Sequence, residues 1–287
     1  MGAQLLDGKA LAQSIRERIG KETTELVAQT GVRPGLAAIL VGDDPASKLY
    51  VKNKQKACDA AGIYVDEHKL PASTTQAELL ALIEKVNADP KLHGILVQLP
   101  LPKQIDSKVI LEAVSPLKDA DGFHPHNMGR LVEGMPLFTP CTPKGVIKMI
   151  EATGTPIEGK RAVVVGRSNI VGKPAALLLL HRNATVTVCH SKTRDLPGVC
   201  REAEILVVAI GKARFVTADM VRPGAVVIDV GVNRLDDGTF VGDVDFEPVR
   251  EKAGWISPVP GGVGPMTIAM LLDNTLESAK RAAGWKT

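Results

Sequence analysis

Seven short aliphatic runs, separated by longer amphipathic stretches, constrain this chain more than any other feature of it. They are GLAAILVG (35–42), GIYVDEHKL (62–70), GILVQLPLP (94–102), AVVVG (162–166), ATVTVCH (184–190), AEILVVAIG (203–211) and AVVIDVGV (225–232). Apolar runs of that kind, alternating with helical segments, describe parallel sheets covered on both faces. The intervening periodicity predicts helices over 10–29, 47–61, 75–88 and 267–283, each polar on one side and aliphatic on the other. The fold class is therefore α/β. The chain has 287 residues but only five Phe, two Tyr and two Trp, so its interior has to be aliphatic. At this length about 75% of the unfolded surface can be buried, and neither disulfides nor metals are needed for stability.

Between residues 115 and 142 the pattern breaks into SPLKDADGFHPHNMGRLVEGMPLFTPCT, a Pro- and Gly-rich stretch without periodicity. It reads as the join between two domains. A helix near Pro143 then opens a second α/β unit, and the closing helix returns to the first. The expected division is residues 1–140 plus 267–287 as a catalytic domain and 141–266 as a Rossmann-like dinucleotide-binding domain.

Several function classes are excluded. A net charge of +3, from 35 basic and 32 acidic residues, marks neither a nucleic-acid nor a membrane-surface binder. Cys58, Cys141, Cys189 and Cys200 form no CxxC pair, and the six His include no HExxH, so no metal site is expected. The N-terminus lacks an apolar signal core and Leu6 stands where myristoylation needs Ser or Thr, so a cytoplasmic protein is expected. Gly166-Arg-Ser168 is no nucleophile elbow, because Ile170 replaces the second glycine.

The segment 160–191 reads strand, glycine turn, helix, strand, the opening unit of a dinucleotide fold. Its glycines, Gly166 and Gly172, are spaced Gly-x5-Gly, which satisfies neither the GxGxxG nor the P-loop pattern. A turn there still exposes backbone N–H groups at a helix N-terminus, which favours a phosphate. The end of the second strand, where an NAD-binding fold places a carboxylate, reads His190-Ser191-Lys192-Thr193-Arg194. Hydroxyl and cationic donors in place of an acid argue for NADP over NAD, although short basic loops are also ordinary solvated loops.

In SKLYVKNKQKACDAA, Lys48, Lys52 and Lys56 cluster on the polar side of a helix. Lys54 instead projects about 40° from Tyr50, toward the apolar face. Such an amine either snorkels to water or sits in a cleft with a depressed pKa. Gln98 ends an aliphatic strand, where a parallel sheet presents ligand-facing groups. Asp121 lies with Asp119 before a glycine, a pattern that also describes a plain turn. SPVPGGVGPMT, before the last helix, allows close backbone approach to a flat ligand or forms a tight turn.

Five motifs, in order and across essentially the whole chain, resemble one family, the bifunctional methylenetetrahydrofolate dehydrogenase/methenyltetrahydrofolate cyclohydrolases. They are Ser47-Lys-Leu-Tyr50-x3-Lys54, Gly94-Ile-Leu-Val-Gln98-Leu-Pro-Leu-Pro, Lys118-Asp-Ala-Asp121-Gly-Phe, Gly166-Arg-Ser-x2-Val-Gly-Lys-Pro174 and Pro260-Gly-Gly-Val-Gly-Pro-Met-Thr267. The resemblance implies oxidation of 5,10-methylenetetrahydrofolate with NADP+, then hydrolysis to 10-formyltetrahydrofolate. It further implies a homodimer and one-carbon supply for purine, histidine and methionine biosynthesis. Carried over by motif, Tyr50, Lys54, Gln98 and Asp121 are catalytic and bind the folate, which Gly264 and Pro265 border. Gly166, Arg167, Ser168, Ser191 and Val232 match cofactor-contacting positions. A two-domain NADP oxidoreductase acting on a small hydroxy or keto acid would share the glycine turn but not Tyr50 with Lys54. A silent ligand-binding protein on the same fold would not need all four catalytic residues.

Overall fold

A computed structural model of the chain describes residues 2–285. Its elements begin with β1 (Gln4–Leu5), α1 (Gly8–Thr30), β2 (Gly35–Val41), α2 (Pro45–Ala60), β3 (Tyr64–Leu70), α3 (Gln76–Ala88), β4 (Gly94–Val97), α4 (Ser107–Ala113) and α5 (Pro125–Val132). They continue with α6 (Cys141–Ala152), β5 (Arg161–Val165), α7 (Gly172–Leu180), β6 (Thr185–Cys189), α8 (Leu196–Arg201), β7 (Ile205–Val208) and β8 (Val226–Asp229). The chain ends with β9 (Asn233–Arg234), β10 (Phe240–Val241), α9 (Phe246–Arg250), β11 (Trp255–Ile256) and α10 (Val263–Ala282). Two compact units result, Gln13–Cys141 with Ile268–Thr287, and Met1–Ala12 with Thr142–Thr267.

The first of these units carries a three-stranded parallel sheet in the order β3-β2-β4. All seven residues of central β2 are buried, which is why its sequence is apolar at consecutive positions. Edge strand β3 carries the ion pair Lys69–Glu67 and a hydrogen-bonded contact of His68 with Asp66, polar groups that blunt an open edge. One sheet face packs Ala37, Ile39, Val41, Ile95 and Val97 against Leu79, Ile83 and Val86 of α3. That helix starts in a capping box, in which the Thr75 hydroxyl accepts from the Glu78 N–H and the Glu78 carboxylate accepts from the Thr75 N–H. The later turns of α10 return to α1, where Asp273 pairs with Arg18 and Lys280 sits between Glu22 and Glu277.

The other unit holds a six-stranded parallel sheet in the order β1-β11-β8-β7-β5-β6, with β9 and β10 forming a separate antiparallel hairpin. Its core is aliphatic, from Val163, Val165, Leu206, Val208, Val227 and Ile256. Among the described residues of both units, the largest fully buried side chain is Phe138 of the three-stranded unit, and Ile and Leu follow it.

Three features differ from the expectation. Residues 1–12 lie with the six-stranded sheet, not with the remainder of 1–140, because Gln4 and Leu5 pair with Trp255 and Ile256. The Pro- and Gly-rich stretch is no bare join: it contains α5 and belongs to the three-stranded unit, with Asp119 bridged to Ile95 beside β4. Finally, α10 starts at Val263 and takes Gly264 and Pro265 into its first turn, where a proline forfeits no helical hydrogen bond.

Candidate active site

Parallel strands deliver everything that follows them to one edge of the sheet. In the three-stranded unit, β2 leads into α2 and its Lys54, β4 ends at Gln98, and the segment bridged to β4 at Asp119 leads to Asp121. Helix α2 is started by Asp44, whose carboxylate accepts from the Ser47 N–H at 2.8 Å. From there the helical period turns Lys48, Lys52 and Lys56 to solvent and buries Lys54 to 5% exposure. Its Nζ donates to Gln98 Oε1 at 3.1 Å and lies 4.5 Å from the centroid of the Tyr50 ring, one helical turn away. Gln98 Nε2 donates to the Leu99 carbonyl at 2.7 Å, which fixes the amide with its oxygen toward the lysine.

Burial pushes the Lys54 ammonium below its ordinary value, and the charge of Asp121 only partly opposes this. Asp121 moves the other way, pushed up by burial to about 6 in spite of the lysine. Each group thus becomes easier to neutralise.

The two acids of the 118–123 motif divide the work. Asp119, 4% exposed, accepts from the N–H groups of Gly122, Phe123 and His124 at 3.1, 3.1 and 2.9 Å and from Asn127 Nδ2 at 2.8 Å. It is the turn-forming acid, and the turn it holds carries Asp121.

In the six-stranded unit, β5 leads directly into Gly166 at φ +126°, where a Cβ would run into the carbonyl oxygen of Ala209. A Cβ on Gly172 would in turn strike the backbone of Gly166 and Arg167. Gly166 is thus fitted against Ala209 and Gly172 against Gly166, two successive close approaches that account for the unusual spacing. Ser168 Oγ accepts from the N–H groups of Val171 and Gly172 at 3.1 and 3.2 Å and so fastens the start of α7. Beside this turn lies a pocket of about 330 Å³ whose polar lining includes Arg167, Ser168, His190, Ser191 and Lys212. No Asp or Glu lines it among the described residues. The 190–193 loop is ordered: His190 N–H donates to Thr193 Oγ1 at 2.9 Å, and Lys192 N–H donates to His190 Nδ1 at 3.1 Å. Val232, 62% exposed, is not part of that lining, and a Cβ on Gly264 would meet open space.

The tetrahydrofolate dehydrogenase/cyclohydrolase catalytic-domain profile matches residues 6–121, and the NAD(P)-binding-domain profile of the same family matches residues 140–283. The chain belongs to the tetrahydrofolate dehydrogenase/cyclohydrolase family. Bifunctional protein FolD of Moorella thermoacetica is 58% identical over 281 residues, covering 98% of this chain and 100% of that relative. The FolD methylenetetrahydrofolate dehydrogenase/cyclohydrolase structure from Campylobacter jejuni matches with a TM-score of 0.95 at 52% identity, covering 97% of this chain and 99% of that one. A FolD structure from Trypanosoma brucei, complexed with NADP cofactor and an inhibitor, matches with a TM-score of 0.94 at 40% identity over 98% of each chain.

The structure brings Tyr50, Lys54 and Gln98 together, and Asp121 is close enough to act on the charge of Lys54. Gly166, Arg167, Ser168 and Ser191 share the second pocket. Sequence reasoning missed Asp119 as a scaffold, Lys212 in the pocket beside Gly166, and the buried acids Asp229 and Asp243. The one available signal for the last of these was the Gly242-Asp243-x-Asp245 cluster, which reads as a turn. Among the described residues no cluster of His, Cys, Asp or Glu could hold a metal ion, and no helix is long and apolar enough to cross a membrane.

Proposed function

We infer that this chain performs both reactions that name its family. It oxidises 5,10-methylenetetrahydrofolate with NADP+ to 5,10-methenyltetrahydrofolate and hydrolyses that product to 10-formyltetrahydrofolate. The carrying observation is the buried amine of Lys54, held between the Gln98 amide oxygen and the Tyr50 ring and opposed by Asp121.

Bound NADP+ supplies the hydride acceptor for the first reaction. Gly166, Arg167, Ser168, Ser191 and Val232 are proposed to hold it. An acid-free pocket containing Arg167 and Lys212 favours a ribose 2′-phosphate over a free 2′-hydroxyl, whose usual partner is a carboxylate. Hydrolysis then needs a proton to leave the water that attacks the methenyl carbon. Lys54 takes that proton only as a neutral amine, the form its desolvation favours. Gln98 orients the amine without supplying a counter-charge that would restore the ammonium. Tyr50 is proposed to stack on the aminobenzoyl ring, and Asp121 to accept from the amino and ring N–H donors of the pterin. Gly264 and Pro265 are assigned to the folate by motif.

The direct test mixes the protein with methylenetetrahydrofolate and NADP+ and follows methenyl formation and decay in the ultraviolet. Both phases are expected, and NAD+ should give a much lower kcat/KM than NADP+. Comparable values for the two cofactors reject the 2′-phosphate argument.

Asp121 adds a pH signature. Its folded-state value of about 6 lies above the ordinary 3.8, so between those values the folded chain holds more protons than the unfolded one. This carboxyl therefore favours folding at low pH and loses that contribution as pH rises through about 6. Function needs the opposite form, since a protonated carboxyl loses acceptor capacity. The kcat/KM for the folate should thus fall below pH 6 while the stability advantage of wild type over Asp121→Asn grows. A flat advantage from pH 4 to 7 contradicts the assignment.

We also propose a homodimer and a cytoplasmic setting. The open edge strand β6, with Val188 39% and Leu180 of the adjoining α7 55% exposed, offers a face to a second copy. Four buried cysteines, none of them in a disulfide, fit a reducing compartment.

A further inference from the structure

Asp243 follows the β9–β10 hairpin and is fully buried. Its Oδ2 accepts from the N–H groups of Ile210 and Gly211 at 2.7 and 2.9 Å. Its Oδ1 accepts from the Lys212 N–H at 2.8 Å and from Asn233 Nδ2 at 2.9 Å. Three consecutive amides aimed at one anion, with Gly211 at φ +65° between them, form the kind of nest that elsewhere receives a phosphate. Here the chain fills the nest with its own carboxylate, so these amides hold the loop and are not spare donors for a ligand.

That loop follows β7, and Ile210 and Lys212 line the pocket beside the glycine turn. Asn233, the first residue of β9, follows Val232 at the end of the short connection that leaves β8. One carboxylate therefore ties together the segments that leave the C-terminal ends of two neighbouring strands, the edge at which a dinucleotide fold binds its ligand. Asp243 is itself held by Asp229, whose Oδ1 accepts from the N–H groups of Asp243 and Gly231 at 2.9 and 3.0 Å and whose Oδ2 accepts from Val244 N–H at 2.9 Å. Glycine is required at both contact points. A Cβ on Gly231 would strike the Asp243 carboxylate, and one on Gly242 would strike that of Asp229.

We propose that Asp243 is a positioning residue for NADP, setting Ile210, Lys212 and the 231–233 segment in place before the cofactor arrives. It acts through these groups and does not touch the cofactor. The proposal rests on the reading of this pocket as the NADP site. Preorganisation lowers the ordering cost of binding, so its loss should show in cofactor affinity and not in the chemistry of the folate.

Asp243→Asn keeps the size of the side chain but turns one acceptor into an NH2 facing N–H donors. The expected result is a rise of about tenfold or more in KM and Kd for NADP+, with kcat at saturating NADP+ nearly retained. Hydrolysis of added methenyltetrahydrofolate should hold in the same preparation. Asn233→Ala removes only one of the four bonds and should raise the NADP+ KM less, which keeps the proposal testable should the first variant fold poorly. An unchanged KM in both variants overturns the proposal, as does a parallel loss of dehydrogenase and cyclohydrolase rates, the mark of a merely structural role. Wild-type protein that ignores NADP+ in the same titration overturns the cofactor reading itself.

Discussion

Lys54→Met is expected to slow hydrolysis of methenyltetrahydrofolate by about 10²- to 10⁴-fold, the range a positioned acid–base group contributes. Methionine fits a site only 5% exposed and carries no charge to desolvate, so the variant should melt at or above the wild-type temperature. Affinity for NADP+ should change little, because none of the groups around Lys54 lines the pocket beside Gly166. A second effect follows from charge. Lys54 is the group that holds Asp121 down, so its removal should move the Asp121 transition above pH 6 and weaken folate binding near neutrality. Unimpaired cyclohydrolase turnover in Lys54→Met would sink the role given to this amine.

Asp119→Ala should be the most destabilising single change near the site. Four donors lose this carboxylate at once; the Gly122 N–H keeps the Asp119 carbonyl and Asn127 Nδ2 keeps the Pro116 carbonyl, both at 3.0 Å, so the cost falls on the Phe123 and His124 N–H groups around a residue 4% exposed. An orphaned buried donor costs about 1–3 kcal/mol, and partial solvent access to the opened turn should leave a net loss of about 3–5 kcal/mol. The turn also carries Asp121, so the folate KM should rise with the fall in stability while NADP+ affinity persists. Asp119→Asn keeps one acceptor oxygen and should fall between the two. Thermal unfolding of the three proteins checks the order, and a melting temperature for Asp119→Ala within a degree of wild type would remove Asp119 from its scaffold role.

These two residues also mark where sequence stops being legible. Lys54 could be singled out because helical period alone separates its direction from those of Lys48, Lys52 and Lys56. Gln98 was visible because it ends a run of apolar residues. Asp119 and Asp121 could not be told apart, since their difference lies in which backbone N–H groups turn toward which carboxylate. Helix α5 was hidden by Pro125 at its start and Gly129 within it. The pair Asp229 and Asp243 left nothing beyond a turn-like Gly-Asp cluster, because hydrophobic patterning treats a buried, hydrogen-bonded acid as a surface residue. Strands β1 and β11, two residues each, are shorter than any period that could announce them.

The pairing of β1 with β11 bears on how the protein is made. Gln4 meets Trp255, so β1 must wait for about 250 further residues to be made before its neighbour exists. The three-stranded unit is in the same position, for the partners of Arg18 and Glu22 in α1 are Asp273 and Lys280, also about 250 residues further along the chain. Neither unit is a contiguous stretch of chain, and contacts of such sequence separation form slowly. A prematurely terminated product that stops before residue 255 has neither unit complete, and an excised 142–267 fragment lacks the strand that finishes its sheet.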